Sequence, residues 1–392
     1  MGSLILGGLI LLAAFIALLA RELKRKNMFI WLGSYFARRR PASPAGAVHV
    51  VFCFVDHFEP RWGNADHETE IRRVREWRER YSRLALQHRD GDGVPPRHTF
   101  FFPEEEYRPE HIDELAALCR EGCGEIEVHL HHDNDTSAGF RQKMSAFIEV
   151  LHERHGALPI DPHRGTPAFG FIHGNWCLDN SRADGRWCGV NDELQILHEL
   201  GCYADFTLPS APSDTQTQKV NSIYWATDDP LRPKSHNSGV DLKAGHPGSG
   251  DLLIVQGPLS LNWHSRKWGI LPRIESGDVR ASNPPTPERV DLWVREHIHI
   301  AGRPEWVFVK VHTHGTQEQD METLLGEPMG AMFDYLESAY NDGKKHVLHY
   351  VSSREMFNII RAAEDGLSGN PGAFRDYVLP PPRMLLTGRG GK

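Results

Sequence analysis

The chain lacks any excess of basic charge. Its formal net charge is −8 at pH 7, and no basic stripe interleaved with aromatics runs through its body, so the electrostatic footprint of a nucleic-acid binder is missing. A cysteine framework is missing too. The six cysteines (Cys53, Cys119, Cys123, Cys177, Cys188 and Cys202) in 392 residues show no zinc-knuckle spacing. A chain this long builds its own core without disulfides, and the thiols read as scattered buried side chains. No glycine-rich loop follows a strand and opens a helix. The glycines of segment 245–250 do neither, which argues against a phosphate cradle. There is no internal repeat. Charge is absent altogether from residues 4–20.

That uncharged run, LILGGLILLAAFIALLA, is at the short end of what crosses a bilayer. A cleavable signal would carry basic residues before the run. Here they follow it, as Arg21, Lys24, Arg25 and Lys26 and then Arg38, Arg39 and Arg40. The positive-inside rule therefore expects a single-pass inner-membrane anchor with the body on the cytoplasmic side. The alternative is an uncleaved signal anchor with the body exported. Residues 1–27 are the anchor and its basic flank. Residues 28–46 are an interfacial segment around Phe29, Trp31 and Phe36 followed by a Pro/Ala/Ser linker.

Residues 47–365 read as one α/β body. Apolar, β-branched or aromatic runs at 48–55, 98–102, 125–130, 169–172, 203–208, 306–311 and 346–350 fit strands of a largely parallel sheet. Helical stretches at 68–87, 109–121, 137–155, 191–200, 287–297, 322–341 and 353–363 alternate with them. Residues 209–287, rich in Pro, Gly, Ser and Asn, break the rhythm and read as an insertion on the active-site face. Residues 366–392 read as a loose tail.

Histidine is abundant, at 23 residues, and clustered. In parallel α/β folds, catalytic groups gather at the carboxyl ends of strands. Four such ends carry Asp56-His57-Phe58-Glu59, His129-Leu130-His131-His132, His173-Gly174-Asn175-Trp176 and His312-Thr313-His314. His129 and His131 share a face of their strand and can chelate one divalent ion, with Asp56 or His57 completing a three-ligand site open to water. Such an ion acidifies its water and polarises a carbonyl. His312 or His314 is the candidate general acid. Glu59, His173, Asn175 and Trp176 are candidate substrate contacts. Trp263 and Arg266, within an aromatic and basic segment, are expected on a rim that binds a phosphorylated or lipid-linked glycan. The acidic run Glu104-Glu105-Glu106 reads as a solvated loop or a sugar-hydroxyl contact.

The order of these elements resembles the polysaccharide deacetylase family, the family 4 carbohydrate esterases. Phe54-Val55-Asp56-His57-Phe58 is similar to that family's T-F-D-D-G motif. His98-Thr99-Phe100-Phe101 is similar to its A-T-F-F strand, and Glu125-Ile126-Glu127-Val128-His129 to the strand before its metal-binding histidines. The resemblance covers roughly residues 47–208 and 303–362. It implies a partly closed β/α barrel, usually with zinc, that hydrolyses an N-acyl group on an amino sugar. Asp56 would be the base, and His57 stands where the family has a metal-binding Asp. The second histidine of the metal pair falls on His131 by i, i+2 spacing, or on Asp133 by i, i+4. The family's Arg-Pro-Pro-Tyr segment is replaced by His173-Gly174-Asn175-Trp176. Two other readings stand beside the deacetylase. One is a glycoside hydrolase using Asp56 and Glu59 as paired carboxylates, and the other a glycan-binding subunit of a membrane assembly with no catalysis. A reporter enzyme fused after Lys392 is expected to be active in the cytoplasm. Activity only in the exported compartment would reverse the orientation assigned from the basic flank.

Overall fold

The computed structural model describes residues 2–39, 41, 44 and 46–386; most of the linker at 40–46 therefore lies outside the described residues. The helices are α1 (Gly2–Arg25), α2 (Leu32–Ala37), α3 (His67–Ala85), α4 (Pro109–Arg120), α5 (Ser137–Glu153), α6 (Glu193–Leu200), α7 (Pro287–Arg295), α8 (Glu318–Leu325), α9 (Glu327–Tyr340), α10 (Ser353–Glu364) and α11 (Arg383–Leu386). The strands are β1 (Val48–His57), β2 (His98–Pro103), β3 (Gly124–Leu130), β4 (Phe169–His173), β5 (Cys202–Asp205), β6 (Ile223–Ala226), β7 (Val240–Asp241), β8 (Leu252–Val255), β9 (Ser260–Lys267), β10 (Leu271–Glu275), β11 (Trp306–Thr313) and β12 (His346–Val351).

β1 is the spine. Along one edge it pairs in parallel with β11, from His49 opposite Trp306 to Asp56 opposite Thr313. Its other edge is shared, with β12 beside Val48 to Cys53 and β2 beside Phe54 to His57. The sheet continues through β3, β4, β5 and β8 in parallel, then β6 and β7 antiparallel. Both faces of β1 are buried, which is why its sequence is almost continuously apolar. Val50, Phe52 and Phe54 pack with Trp77 of α3 and Leu115 of α4, while Val51, Cys53 and Val55 face the layer containing Met356 and Ile360 of α10.

The strand–helix alternation read from the sequence is present, and the insertion is part of the same sheet through β6, β7 and β8. Barrel closure by a strand ladder is not seen among the described residues. The outer edge of β11 carries only short bridges, Asp278 to His312 and the Phe308 N–H to the Ile298 carbonyl. Across that seam the buried Lys310 amine donates to the Phe206 and Leu208 carbonyls beyond β5, at 2.5 Å each. A lysine side chain is short, so the seam is narrow there. The single helix expected over 322–341 is two helices, broken at Gly326.

Two flanking segments differ from expectation. Trp31 is not interfacial but fully buried against Ala211, Val220, Leu259 and Leu261, so the segment after α1 is docked on the insertion. Phe29 and Phe36 do remain exposed. The tail, expected to be loose, is docked through residue 386. Arg375 pairs with Asp90 and Asp92, and Arg354 and Asn358 of α10 bond the Arg375 and Leu379 carbonyls. Unmet carbonyls and charges beneath the tail hold it down. α1 is long and apolar enough to cross a membrane over Ile5–Arg25. All six cysteines are buried and free.

Burial pushes the Lys310 amine down from 10.5 to about 7, although Asp205 acts in the opposite sense. The unfolded chain keeps this proton to higher pH than the folded one, so Lys310 makes folding more favourable as pH rises from about 7 towards 10. Lys310→Met is expected to flatten that part of the melting temperature–pH curve. It should also cost about 1–3 kcal/mol, because two buried carbonyls lose their donor. Denaturation of both proteins between pH 7 and 10 tests this, and parallel curves would contradict it.

Candidate functional site

The carboxyl end of β1 alternates sides. Phe58 points into the helix layer, edge-on to Trp77 and Phe100. His57 and Glu59 flank it in sequence and turn the other way, to line a cavity of about 360 Å³. β3 contributes His129 from its last turn of alternation, and His131 follows just beyond. His314 follows just past β11. The rings of His57 and His314 stack with centroids 4.6 Å apart, and His129 lies edge-on to His57 at 5.0 Å and to His131 at 4.6 Å.

Hydrogen bonds fix which nitrogen of each ring faces inward. The His129 Nδ1–H donates to the Ile172 carbonyl at 2.7 Å, which leaves Nε2 as a buried lone pair without a hydrogen-bond partner. His131 Nδ1 bonds Glu105 Oε1 at 2.5 Å. The two Nε2 atoms then lie 3.4 and 3.5 Å from the same oxygen, Glu59 Oε1. Imidazoles oriented by a carbonyl and a carboxylate, with their other nitrogens converging on a third oxygen, have the outer support usual around metal ligands. His57, Glu59 and His314 form a second close group sharing Glu59. The donor set therefore fits a divalent metal.

The electrostatics differ from group to group. Burial and the neighbouring imidazoles of His314, His129, His312 and His131 hold His57 well below the ordinary histidine value, so it is neutral and able to ligate. Burial raises Glu59, but His129, His314 and His131 outweigh it and keep the carboxyl below its usual range. Burial likewise opposes the charged form of His131, yet Glu105 and Glu59 hold it above its ordinary value.

The expected site residues separate into those that meet and those that do not. His57, His131, Glu59, His314, Asn175 and Trp176 line one cavity, and the fully buried His129 packs against His57 and His131. Asn175 and Trp176 both have positive φ, at 56° and 58°, a strained conformation for such side chains that holds the indole 5.9 Å from His57 and 5.8 Å from His314. Asp56, expected as base, does not face the cavity. It lies on the Phe58 side of β1, where its carboxylate accepts from His98 Nε2 at 2.8 Å and from the Gly315 N–H at 2.7 Å. His312 is buried and lines an adjoining cavity of about 570 Å³ that shares Asn175, Trp176, Asp278, Arg280 and His314 with the first. His173 is fully buried and belongs to a different cluster, with His132 and Glu193. Asp133, the alternative ligand, accepts from the Trp187 N–H instead. Trp263 and Arg266 lie on the β9–β10 hairpin and line neither of these cavities. Trp263 borders a groove with Leu19, Leu23 and Phe36 of the anchor region, and Arg266 is exposed and bonds the Trp263 carbonyl.

Sequence reasoning missed four residues here, one of them Trp62, which lines the cavity. Glu105 is no solvated loop residue but the support of His131; only its position after β2 hinted at this. Asp278 and its ion-pair partner Arg280 line both cavities. They come from an aperiodic stretch with no signal to single them out. Burial raises the Asp278 carboxyl, with Arg280 and His314 acting against it.

Asp56 positions the site rather than lining it. A Cβ on Gly315 would fall 2.1 Å from Asp56 Oδ2, and the Gly315 carbonyl accepts from Trp77 Nε1 at 2.7 Å. Asp56→Ala is expected to destabilise the fold by about 2–4 kcal/mol, since it leaves His98 and the Gly315 N–H unpaired in the core. It should also loosen His314. Thermal melts and a ring-nitrogen NMR spectrum of His314 test both. A variant as stable as the parent would show that the carboxylate does not hold the turn.

No family model matches the chain, and no curated protein matches it. Among solved structures it is similar to an alpha-mannosidase from Enterococcus faecalis V583, with TM-score 0.42 and 11% identity over 82% of this chain and 30% of that one. It is also similar to a 4-alpha-glucanotransferase from Thermococcus litoralis, with TM-score 0.33 and 11% identity over 79% of this chain and 41% of that one. The chain spans less than half the length of either structure. Both of those proteins are carbohydrate-active enzymes by name, and neither is a deacetylase.

Proposed function

We propose that this chain is a metal-dependent hydrolase of carbohydrate substrates, cleaving an N-acyl (acetyl or formyl) group from an amino sugar of a glycan or lipid-linked glycan. The observation that carries the reading is the convergence of the His129 and His131 Nε2 atoms on Glu59 Oε1, beside His57, at the wall of an open cavity. His57, Glu59, His129 and His131 would hold a divalent ion, and zinc suits imidazole with carboxylate. When bound, such an ion polarises a carbonyl oxygen and acidifies water.

The chain's own side chains do the rest. Asp278, its carboxyl raised by burial, is suited to take a proton from the attacking water. His314, partly exposed and stacked on His57, is placed to deliver a proton to the departing amine nitrogen. Trp176 and Trp62 offer apolar faces to a sugar ring. Glu105 holds the His131 ring in register.

One observation favours a second reading, glycoside hydrolysis. Two carboxyls, Glu59 and Asp278, line the same cavity and are shifted in opposite directions. Oppositely tuned carboxyls are the pattern of a glycosidase acid and its partner. In that case Asp278 is the acid and Glu59 the partner, the role that Asp56, on the other side of β1, does not fill.

One assay separates the two. Full-length protein in detergent is given N-acetylated oligosaccharides and lipid-linked amino sugars, and both acyl release and new reducing ends are measured. Acetate or formate release is expected, abolished in His129→Ala/His131→Ala together with the metal held at that cavity, and reduced about 10- to 100-fold in Glu105→Gln. New reducing ends without acyl release, lost in Asp278→Asn, would replace the deacylase with the glycosidase. Acyl release that survives the double histidine variant would overturn the metal-dependent reading.

A further inference from the structure

The second histidine cluster uses none of the residues assigned above. His132 follows β3, His173 ends β4 and Glu193 opens α6. All three side chains are fully buried. The His132 and His173 Nε2 atoms are 2.8 Å apart, and each lies 3.4 Å from Glu193 Oε1.

The outer side of each group is already engaged. The His173 Nδ1–H donates to the Gly174 carbonyl at 2.5 Å. His132 Nδ1 lies 3.1 Å from Asp135 Oδ2, an oxygen that also takes Lys143 Nζ at 2.8 Å. Glu193 Oε2 accepts from the Asp179 N–H at 2.6 Å, whereas its Oε1 has no hydrogen-bond partner although wholly buried. With each Nδ1 donating outward, to Asp135 and to the Gly174 carbonyl, two nitrogen lone pairs and one carboxylate oxygen are left facing one another. A single proton could bridge the two rings but would leave Glu193 Oε1 unmet, at a cost that buried polar groups rarely bear. A cation at the centre satisfies all three. Ligands about 2.0–2.1 Å from a tetrahedral metal stand about 3.3 Å from one another, close to the two 3.4 Å separations from Glu193, and the two rings, 2.8 Å apart, would part by about 0.5 Å to take an ion.

The backbone is shaped around the cluster. A Cβ on Gly189 would fall 2.0 Å from the His132 ring, so that ring packs directly on a glycine backbone. His236 is also fully buried, with both ring nitrogens unpartnered.

We infer that His132, His173 and Glu193 form a second divalent-metal site, of the zinc-binding His–His–Glu type, closed from solvent and structural in role. It ties the loop after β3, the end of β4 and the start of α6 into one unit beneath Asn175 and Trp176.

Metal stoichiometry of the full-length protein in detergent tests the site, with zinc as the probe. After stripping and reloading, the parent is expected to hold two equivalents. Glu193→Gln keeps the Asp179 contact and lets a neutral amide donate to the imidazoles, so it should fold and hold one. His129→Ala/His131→Ala should also hold one, and its melting temperature should fall on chelation, while that of Glu193→Gln should be unmoved by losing its remaining ion. Cobalt added to the double histidine variant should give the visible absorption of a tetrahedral N/O site, a readout that needs no Glu193 variant to fold. The inference is overturned if Glu193→Gln binds as much metal as the parent, or if the double histidine variant takes up neither zinc nor cobalt. The cavity reading fails separately, if the double histidine variant loses no metal.

Discussion

The Asp56 carboxylate ties three strand ends together. It receives a hydrogen bond from His98 of β2 and another from the backbone just past β11, while His57 ends its own strand and Glu59 follows two residues later. The Thr316 hydroxyl adds a bond to the Glu59 carbonyl from the same turn. Loops at the ends of neighbouring strands are otherwise free to part. With these contacts in place, the stacked rings of His57 and His314 are a consequence of backbone geometry, not of their own weak attraction. The cavity inherits its shape from a hydrogen-bond network on the far side of the sheet.

The same economy governs the imidazoles. A neutral ring has one nitrogen that donates and one that accepts. Wherever a carbonyl or carboxylate is built against Nδ1, the lone pair of Nε2 is delivered to the opposite side. Carbonyls turn the rings of His129 and His173 in this way and carboxylates those of His131 and His132, and Nε2 atoms consequently gather in two places near the β3–β4 strand ends. Adjacent residues serve different centres: His131 turns to Glu59, and His132 turns to Glu193. Once a strand has ended, alternation no longer keeps neighbours apart by rule, and the local acceptors decide.

Strands and helices were legible because their patterns are local. The buried run of β1, the alternating spacing of His129 and His131 and the clustering of polar residues at strand ends could all be read residue by residue, and the cavity gathers many of those residues. What escaped depends on contacts distant in sequence. Asp56 and His57 are neighbours of equal chemical promise, and only the burial of Phe54 and Phe58 against α3 decides which of them faces the helices. His173 looked like a substrate contact until Glu193, twenty residues on, met it in the interior. Asp278 reaches the cavity from a stretch with no periodicity at all. The Gly326 break and the docked tail likewise follow from three-dimensional partners that composition does not reveal.

The segment after α1 gives the helix an unusual attachment. Trp31 is sunk among Ala211, Val220, Leu259 and Leu261, and Lys267 of the β9–β10 hairpin reaches Glu22 near the end of α1 at 2.9 Å. Trp268 and Ile270 at the tip of that hairpin, with Phe36 nearby in the chain fold, are left bare. A helix joined to a body by a flexible leash lets the body swivel and sample a wide radius. One bolted on at two points, beside a greasy tip, behaves as a bracket: wherever the helix is seated, the mouth of the cavity keeps one height and one bearing. Lengthening the chain between helix and body would let that height and bearing vary.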